Sequence, residues 1–307
     1  DFNQNLGTTE LYTTNPNAGT TYWLPNGVTS YGNLIISPIG GSNIIFPNND
    51  LLIYGDLITR GQNADSWFCP TWRNDYPTAP ITTVEKVITI NGNLHVQGGG
   101  FIWIGNKDLA QDLVVHGDVI IETLATMYAF PGTWGNYEAN NQSISIGGSL
   151  INNTDGSFAP KGTQSKVDLD KVPVTFFGDS SALITNTAGT PLTIFNQVTI
   201  NKGNSQATTL TCDIEGSLDT PDDNWLTLQN GTFIYNRNNP SNDFTISTTT
   251  PFNIPATAGL TINTSSDNIL IGNSNNNNGD LLLGGNLTLI NGDVFIGREA
   301  SPNRNND

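Results

Sequence analysis

A short unit returns along this chain: a glycine, then Asn, Asp or Ser, then a Leu or Val that opens an apolar alternation. It stands at Gly32-Asn33-Leu34, Gly55-Asp56-Leu57, Gly92-Asn93-Leu94, Gly117-Asp118-Val119, Gly148-Ser149-Leu150, Gly216-Ser217-Leu218 and Gly285-Asn286-Leu287. The first four steps each fall in the length range of a single solenoid repeat, and the last two are long enough for several repeats. The clearest example runs from Gly279 to Gly297, where Leu281, Leu283, Leu287, Leu289, Val294 and Ile296 sit two apart within short runs. Period-two alternation marks half-buried strands. The glycines between them are expected to supply positive φ at the turns.

Spacing of this kind predicts a solenoid of strands rather than a sandwich. Hairpin sandwiches carry closely and evenly spaced turn signals without register between distant units. One recurring tripeptide per coil instead stacks like on like about 4.8 Å apart, building aliphatic and Asn ladders. The expected fold is an all-β, single-stranded parallel β-helix, right-handed, of about 12 coils at a period of roughly 22 to 25 residues. The two longest gaps contain apolar alternations such as 191–200 and 225–235, which read as coils whose punctuation has drifted. Residues 1–31 are expected to form an N-terminal cap or incomplete first coil, 32–300 the β-helix, and 301–307 a polar tail leading into further chain that covers the end of the rod.

Composition limits the function. Charged residues make up 12% of the 307 residues, about half the usual share, so solubility rests on uncharged polar groups, 42 Asn among them. The net charge of -16 and the absence of any Lys/Arg cluster argue against nucleic acid as a partner. No run of eighteen apolar residues is present to span a membrane as a helix. Few Lys, many Asn and a single Met point to an extracellular or outer-surface protein.

Two excursions break the rhythm. The gap between Gly55 and Gly92 contains DSWFCPTWRNDYP, with Trp67, Trp72 and Tyr76; the gap between Gly117 and Gly148 contains MYAFPGTWGNY, with Tyr128, Trp134 and Tyr137. Trp103 lies between them. If the excursions leave the rod at one corner about two coils apart, these rings form an aromatic patch suited to sugars or a protein partner. The competing expectation is that the rings fold onto the outer sheet and cover it. Cys69 and Cys212 read as two buried thiols, with one long-range disulfide as the alternative. His95 and His116 are read as ordinary strand residues at equivalent places in successive repeats.

Catalysis finds little support. Polysaccharide hydrolases and lyases need carboxylates, commonly with Arg or Lys, converging on one face. The acidic stretches here, Asp108 with Asp112, Asp168 with Asp170, and Asp219 with Asp222 and Asp223, sit in turn-like contexts where Asp caps the backbone. No catalytic residue is assigned. No cofactor is expected; calcium on the loops Asp50 to Asp56 or Asp219 to Asp223 is the one metal the oxygen ligands would suit, although the spacing matches no known calcium repeat.

The stretches YGNLIISPIGGSNIIFPNNDLLIYGDL, INGNLHVQGG, VTFFGDSSALITNTAGTPLTIFNQVTINKGNSQATTLTCDIEGSL and TPFNIPATAGLTI together resemble the β-helix repeats of large secreted surface proteins of Bacteroidota, exported by the type IX secretion system. The resemblance covers most of the chain from Tyr31 to Gly297. It implies a segment of a longer cell-surface or secreted polypeptide, adhesin-like or stalk-forming, whose partners are the rest of that polypeptide, the secretion machinery and surface glycans or proteins. No sorting domain of that family is present, and no catalytic residue transfers. The alternative is a carbohydrate-active enzyme of pectate-lyase-like architecture.

Overall fold

A computed structural model of the protein describes residues 7–13, 21–39, 42–61, 67–69, 84–103, 110–129, 142–154, 166–186, 192–215, 217–220, 224–237, 244–247, 251–271 and 281–296. Every regular element among them is a strand, and every strand pairing is parallel. No described helix is long and apolar enough to cross a membrane.

The chain winds as a β-helix with three strands per coil, one on each of three faces. On the first face, cross-strand partners link Thr9, Leu34, Leu57, Leu94, Val119, Leu150, Ile184, Cys212, Tyr235, Ile262 and Leu289 in one unbroken file. That is eleven rungs among the described residues, against an expected number of about 12. Several coils are longer than the expected period, as between Leu57 and Leu94, and longer coils make fewer rungs from the same chain. At about 4.8 Å per rung the file is roughly 48 Å long. The second face stacks strands such as Trp67–Cys69 and Ala125–Ala129, and the third strands such as Lys86–Ile90, Gln111–Val115 and Gln142–Ile146.

The alternation read from the sequence is the alternation of burial. On the first and third faces every second residue is buried, as in Leu57, Leu94, Val119 and Leu150, each fully inside. Each such side chain contributes about 1.5–3 kcal/mol by leaving water. One continuous column of Leu, Ile, Val and Phe runs the length of the rod.

The recurring tripeptide forms the corner between the third and first faces. Asn33 Oδ1 accepts the N–H of Asp56 at 2.9 Å, Asp56 Oδ1 that of Asn93 at 2.7 Å, Asn93 Oδ1 that of Asp118 at 2.7 Å, and Asp118 Oδ1 that of Ser149 at 2.6 Å. The glycines run a backbone ladder beside it, Gly92 N to Gly55 O and Gly117 N to Gly92 O at 2.9 Å each. Positive φ is not what selects them: Gly55, Gly92, Gly117 and Gly148 all lie outside that region. A Cβ on any of the four would collide with the Asx oxygen of the coil below. Glycine is there because the capping side chain of one coil occupies the space over the next.

Within residues 1–31, expected as a cap or incomplete first coil, strands pair on all three faces, at Thr8 with Asn33, Thr21 with Asn43 and Ser30 with Leu52. The tripeptide at Gly216-Ser217-Leu218 is no corner marker, because Leu218 pairs with Thr193 on the second face. The long gaps instead hold the rungs at Ile184, Cys212, Tyr235 and Ile262. At the last described coil, Leu283, Leu289 and Ile296 point inward yet are 56%, 51% and 49% exposed, while Ile254, Ile262 and Ile271 one rung below are at 0%. No described coil stacks on them.

The corner can be tested by crowding it. Gly92→Ala is expected to lower stability by about 1–3 kcal/mol, the usual cost of overpacking. Gly7→Ala, where a Cβ meets nothing within 4 Å, is expected to stay within about 0.5 kcal/mol of the parent. Urea unfolding of both variants provides the comparison.

Candidate binding surfaces

The aromatic residues singled out from the sequence divide into two groups. The backbones of Trp67, Trp103 and Tyr128 lie on three successive strands of the second face, where Trp67 is in register with Gly100 and Tyr128 with Ile102. Trp72, Tyr76, Trp134 and Tyr137 lie outside the described residues. The segments that contain them, 70–83 and 130–141, both connect the second face to the third, from strands two rungs or about 10 Å apart. The second face itself is buried on both sides. Ile44-Ile45-Phe46, Gly99-Gly100-Phe101, Ala125-Thr126-Met127, Val167-Asp168-Leu169 and Thr193-Ile194-Phe195 are each buried without alternation. Both-sided burial is typical of parallel sheets covered on each face.

Among the described residues, the carboxylates named in the sequence are divided between the second and third faces. Asp112 is on the third face and accepts a 2.6 Å bond from Ser143 Oγ. Asp168 is on the second face, 3% exposed, and Asp219 stands two rungs away in the same file. Asp170 lies on the strand Lys166–Gly178. Asp108, Asp222 and Asp223 fall outside the described residues, and with the last two goes most of one candidate calcium loop. In the other, Asp50 Oδ1 accepts the N–H of Val87 at 2.8 Å and Asp56 Oδ1 that of Asn93.

Two pairings considered from the sequence are not made. Cys212 is a free, buried thiol on the first face, five rungs or about 24 Å along the axis from the coil of Cys69, far beyond disulfide reach. Burial pushes its pKa up to about 12; Arg237 opposes that shift and Asp213 adds to it. His95 and His116 are not equivalent either. His95 pairs with Ile120 within a first-face strand, whereas His116 precedes the corner at Gly117 and stacks edge-on against Phe177 at 5.3 Å.

Polar groups inside the rod escaped the sequence reading. Lys86, Gln111 and Gln142 form one file facing inward at the start of the third face, each at the point where the chain returns from a segment outside the described residues. Lys86 Nζ donates to Pro47 O at 2.9 Å, and burial lowers its pKa to about 8. The amide groups of Gln111 and Gln142 have no hydrogen-bond partner among the described residues. Lys202, fully buried, donates to Gly147 O and Phe177 O at 2.6 Å each. Burial lowers its pKa, while Asp118 and Asp179 pull it back up.

The outer side of the first face carries a connected polar network. Arg60 Nε donates to Gln97 Oε1 at 2.9 Å, Gln97 Nε2 lies 3.3 Å from His95 Nδ1, His95 Nε2 lies 2.6 Å from Glu122 Oε1, and Asn153 Nδ2 reaches Glu122 Oε2 at 3.4 Å. This network engages both ring nitrogens of His95, Nδ1 with Gln97 and Nε2 with Glu122. The signal was present in the repeat: three positions after the Leu or Val that opens each unit stand Ser37, Arg60, Gln97, Glu122 and Asn153.

No protein-family model, curated protein or solved structure matches the chain.

The buried Lys86 makes a signed pH prediction. Below pH 8 its ammonium is charged in folded and unfolded chains alike, and folding bears the full cost of desolvating it. Between pH 8 and about 10.5 the unfolded chain holds the proton and the folded one does not, so stability rises with pH. Relative to Lys86→Met, the parent is expected to gain up to about 3 kcal/mol across that window, as measured by urea unfolding at stepped pH. Comparing the two proteins at each pH cancels the opposing titration of Cys212.

Proposed function

We propose that this chain is a non-enzymatic module of a large secreted, cell-surface protein, adhesin-like or stalk-forming, which extends or displays binding surfaces beyond the cell envelope. The observation that carries this reading is the use made of the acidic groups. Asp50, Asp56, Asp112 and Asp118 accept hydrogen bonds that join one coil to the next, so carboxylates that could serve acid-base chemistry serve the rod. Continuity of register through eleven rungs suits a spacer, since each coil relies only on its neighbours. Composition and the repeat resemblance support an extracellular setting and type IX export. An aromatic patch drawn from Trp67, Trp72, Tyr76, Trp103, Tyr128, Trp134 and Tyr137 is the binding element of this reading, with glycans or a partner protein as its ligand.

A carbohydrate-active enzyme is the second reading, favoured by the register that puts Tyr128, Asp168 and Asp219 in one file of the second face. Prolonged incubation with plant, algal and bacterial polysaccharides separates the two. The display reading expects no new reducing ends and no unsaturated products. Turnover that disappears in Asp168→Asn or Asp219→Asn would establish the enzyme instead. Binding on a polysaccharide array is expected to fall at least tenfold in a Trp72→Ala Trp134→Ala double variant; unchanged binding removes the aromatic patch.

A further inference from the structure

The first face carries a second, separate surface. At its corner toward the second face stand Tyr12, in register with Ser37, and then Arg60, Gln97, Glu122 and Asn153, one from each of six coils; Gln97 sits at a bulge, since Arg60 is in register with Gly98 and reaches Gln97 through its side chain. Five steps of about 4.8 Å make this file roughly 24 Å long. Tyr12 is 67% exposed, whereas described rings such as Tyr22, Trp23, Tyr54 and Phe177 are half-buried and Phe101 and Tyr235 fully buried. The remaining members are half-buried or exposed. Beside this file runs a second one, Ile35, Ile58, His95, Ile120 and Ile151, half-buried and facing outward.

We infer that this strip is a binding site for an extended, neutral polysaccharide lying parallel to the solenoid axis. The groups are those that recognise sugars. Guanidinium, amide and carboxylate groups are planar and retain donor or acceptor capacity beyond the bonds within the network, whereas both ring nitrogens of His95 are engaged and serve to hold Gln97 and Glu122 in place. Hydroxyls, being both donors and acceptors, can join such a network without leaving a charge unpaired. Ile and Tyr side chains offer apolar surface to the C–H faces of pyranose rings. The network is pre-organised, because Gln97 locks His95, His95 locks Glu122 and Glu122 holds Asn153, which reduces the ordering cost on binding. A protein partner is disfavoured: interface cores are depleted in Glu and centre on desolvated anchors, whereas Gln97, Glu122 and Asn153 form a hydrogen-bonded polar row that stays partly exposed. Charge selects the neutral class. Arg60 and Glu122 are engaged within the network, and a net charge of -16 repels polyanionic chains.

The proposal is independent of the display function and of the aromatic patch. It is tested on the full chain by calorimetric titration with linear hexasaccharides of β-1,4-glucan, β-1,4-mannan, β-1,4-xylan and α-1,4-glucan, with oligogalacturonate as the anionic probe. At least one neutral hexasaccharide is expected to bind. Tyr12→Ala and a Gln97→Ala Glu122→Ala double variant are each expected to weaken that binding at least fivefold, with unchanged circular dichroism and melting. Thr227→Ala on the third face and Trp72→Ala Trp134→Ala are expected to leave it intact. Failure of every neutral hexasaccharide to bind, binding that both first-face variants retain, or a preference for oligogalacturonate would each overturn the assignment. None of these outcomes bears on turnover, so the display reading is judged separately.

Discussion

The rod depends on one contact repeated at its corner: the side-chain oxygen of Asn or Asp in one coil accepts the backbone N–H of the corresponding residue in the next. Parallel strands need a long connection between rungs, and their register is set only by what recurs in each coil. Here the recurring group is a short, stiff acceptor that binds the next backbone directly. Its bulk excludes a Cβ above it, so each capping Asx demands a glycine one coil later. Gly and Asx are therefore selected together, and the tripeptide is the smallest unit that states both halves of the contact.

With the corner set, the rest of each coil is free to vary in length. Successive corner residues Asn33 and Asp56 are 23 residues apart, and Asp56 and Asn93 are 37 residues apart. The extra residues fall between the second and third faces. Changes of phase are accommodated in steps of two: Leu287 continues the file of Leu260, Phe233, Leu210 and Ala182, one inward position before the file of Leu150. A two-residue step preserves which side chains face the core, whereas a one-residue step would turn the core outward. Where the Gly-Asx corner gives way, other side chains take its place. Ser149 and Ser181 accept N–H groups at 3.1 Å and Lys202 bridges two carbonyls, while past the other end of the first face Asn236, Asn263 and Asn291 stack as a ladder at 2.8 and 2.9 Å.

Function on such a scaffold must come from what the three faces present. The second face is covered on both sides and the third shows small polar residues such as Ser145, Thr175 and Thr199 in register. Among the described residues, the first face alone carries a chain of hydrogen-bonded planar side chains over several coils. The sequence reading concentrated on aromatic residues, because Trp and Tyr are conspicuous at binding surfaces. Arg60, Gln97, Glu122 and Asn153 are ordinary individually and become a strip only when coils of unequal length are aligned on their corners.

The sequence alone determined the architecture, because alternation of two dictates strands and a recurring Gly-Asx-Leu dictates stacking in register; both are local properties of the chain. It also determined the polar, acidic character of the chain. Tertiary structure decided the quantities that depend on which coil lies above which. It set eleven rungs among the described residues, separated Cys69 from Cys212 and His95 from His116, buried Lys86 with Gln111 and Gln142, and lined up the first-face network. The reason is physical: residues far apart in sequence become neighbours about 4.8 Å apart only after every intervening excursion has been closed.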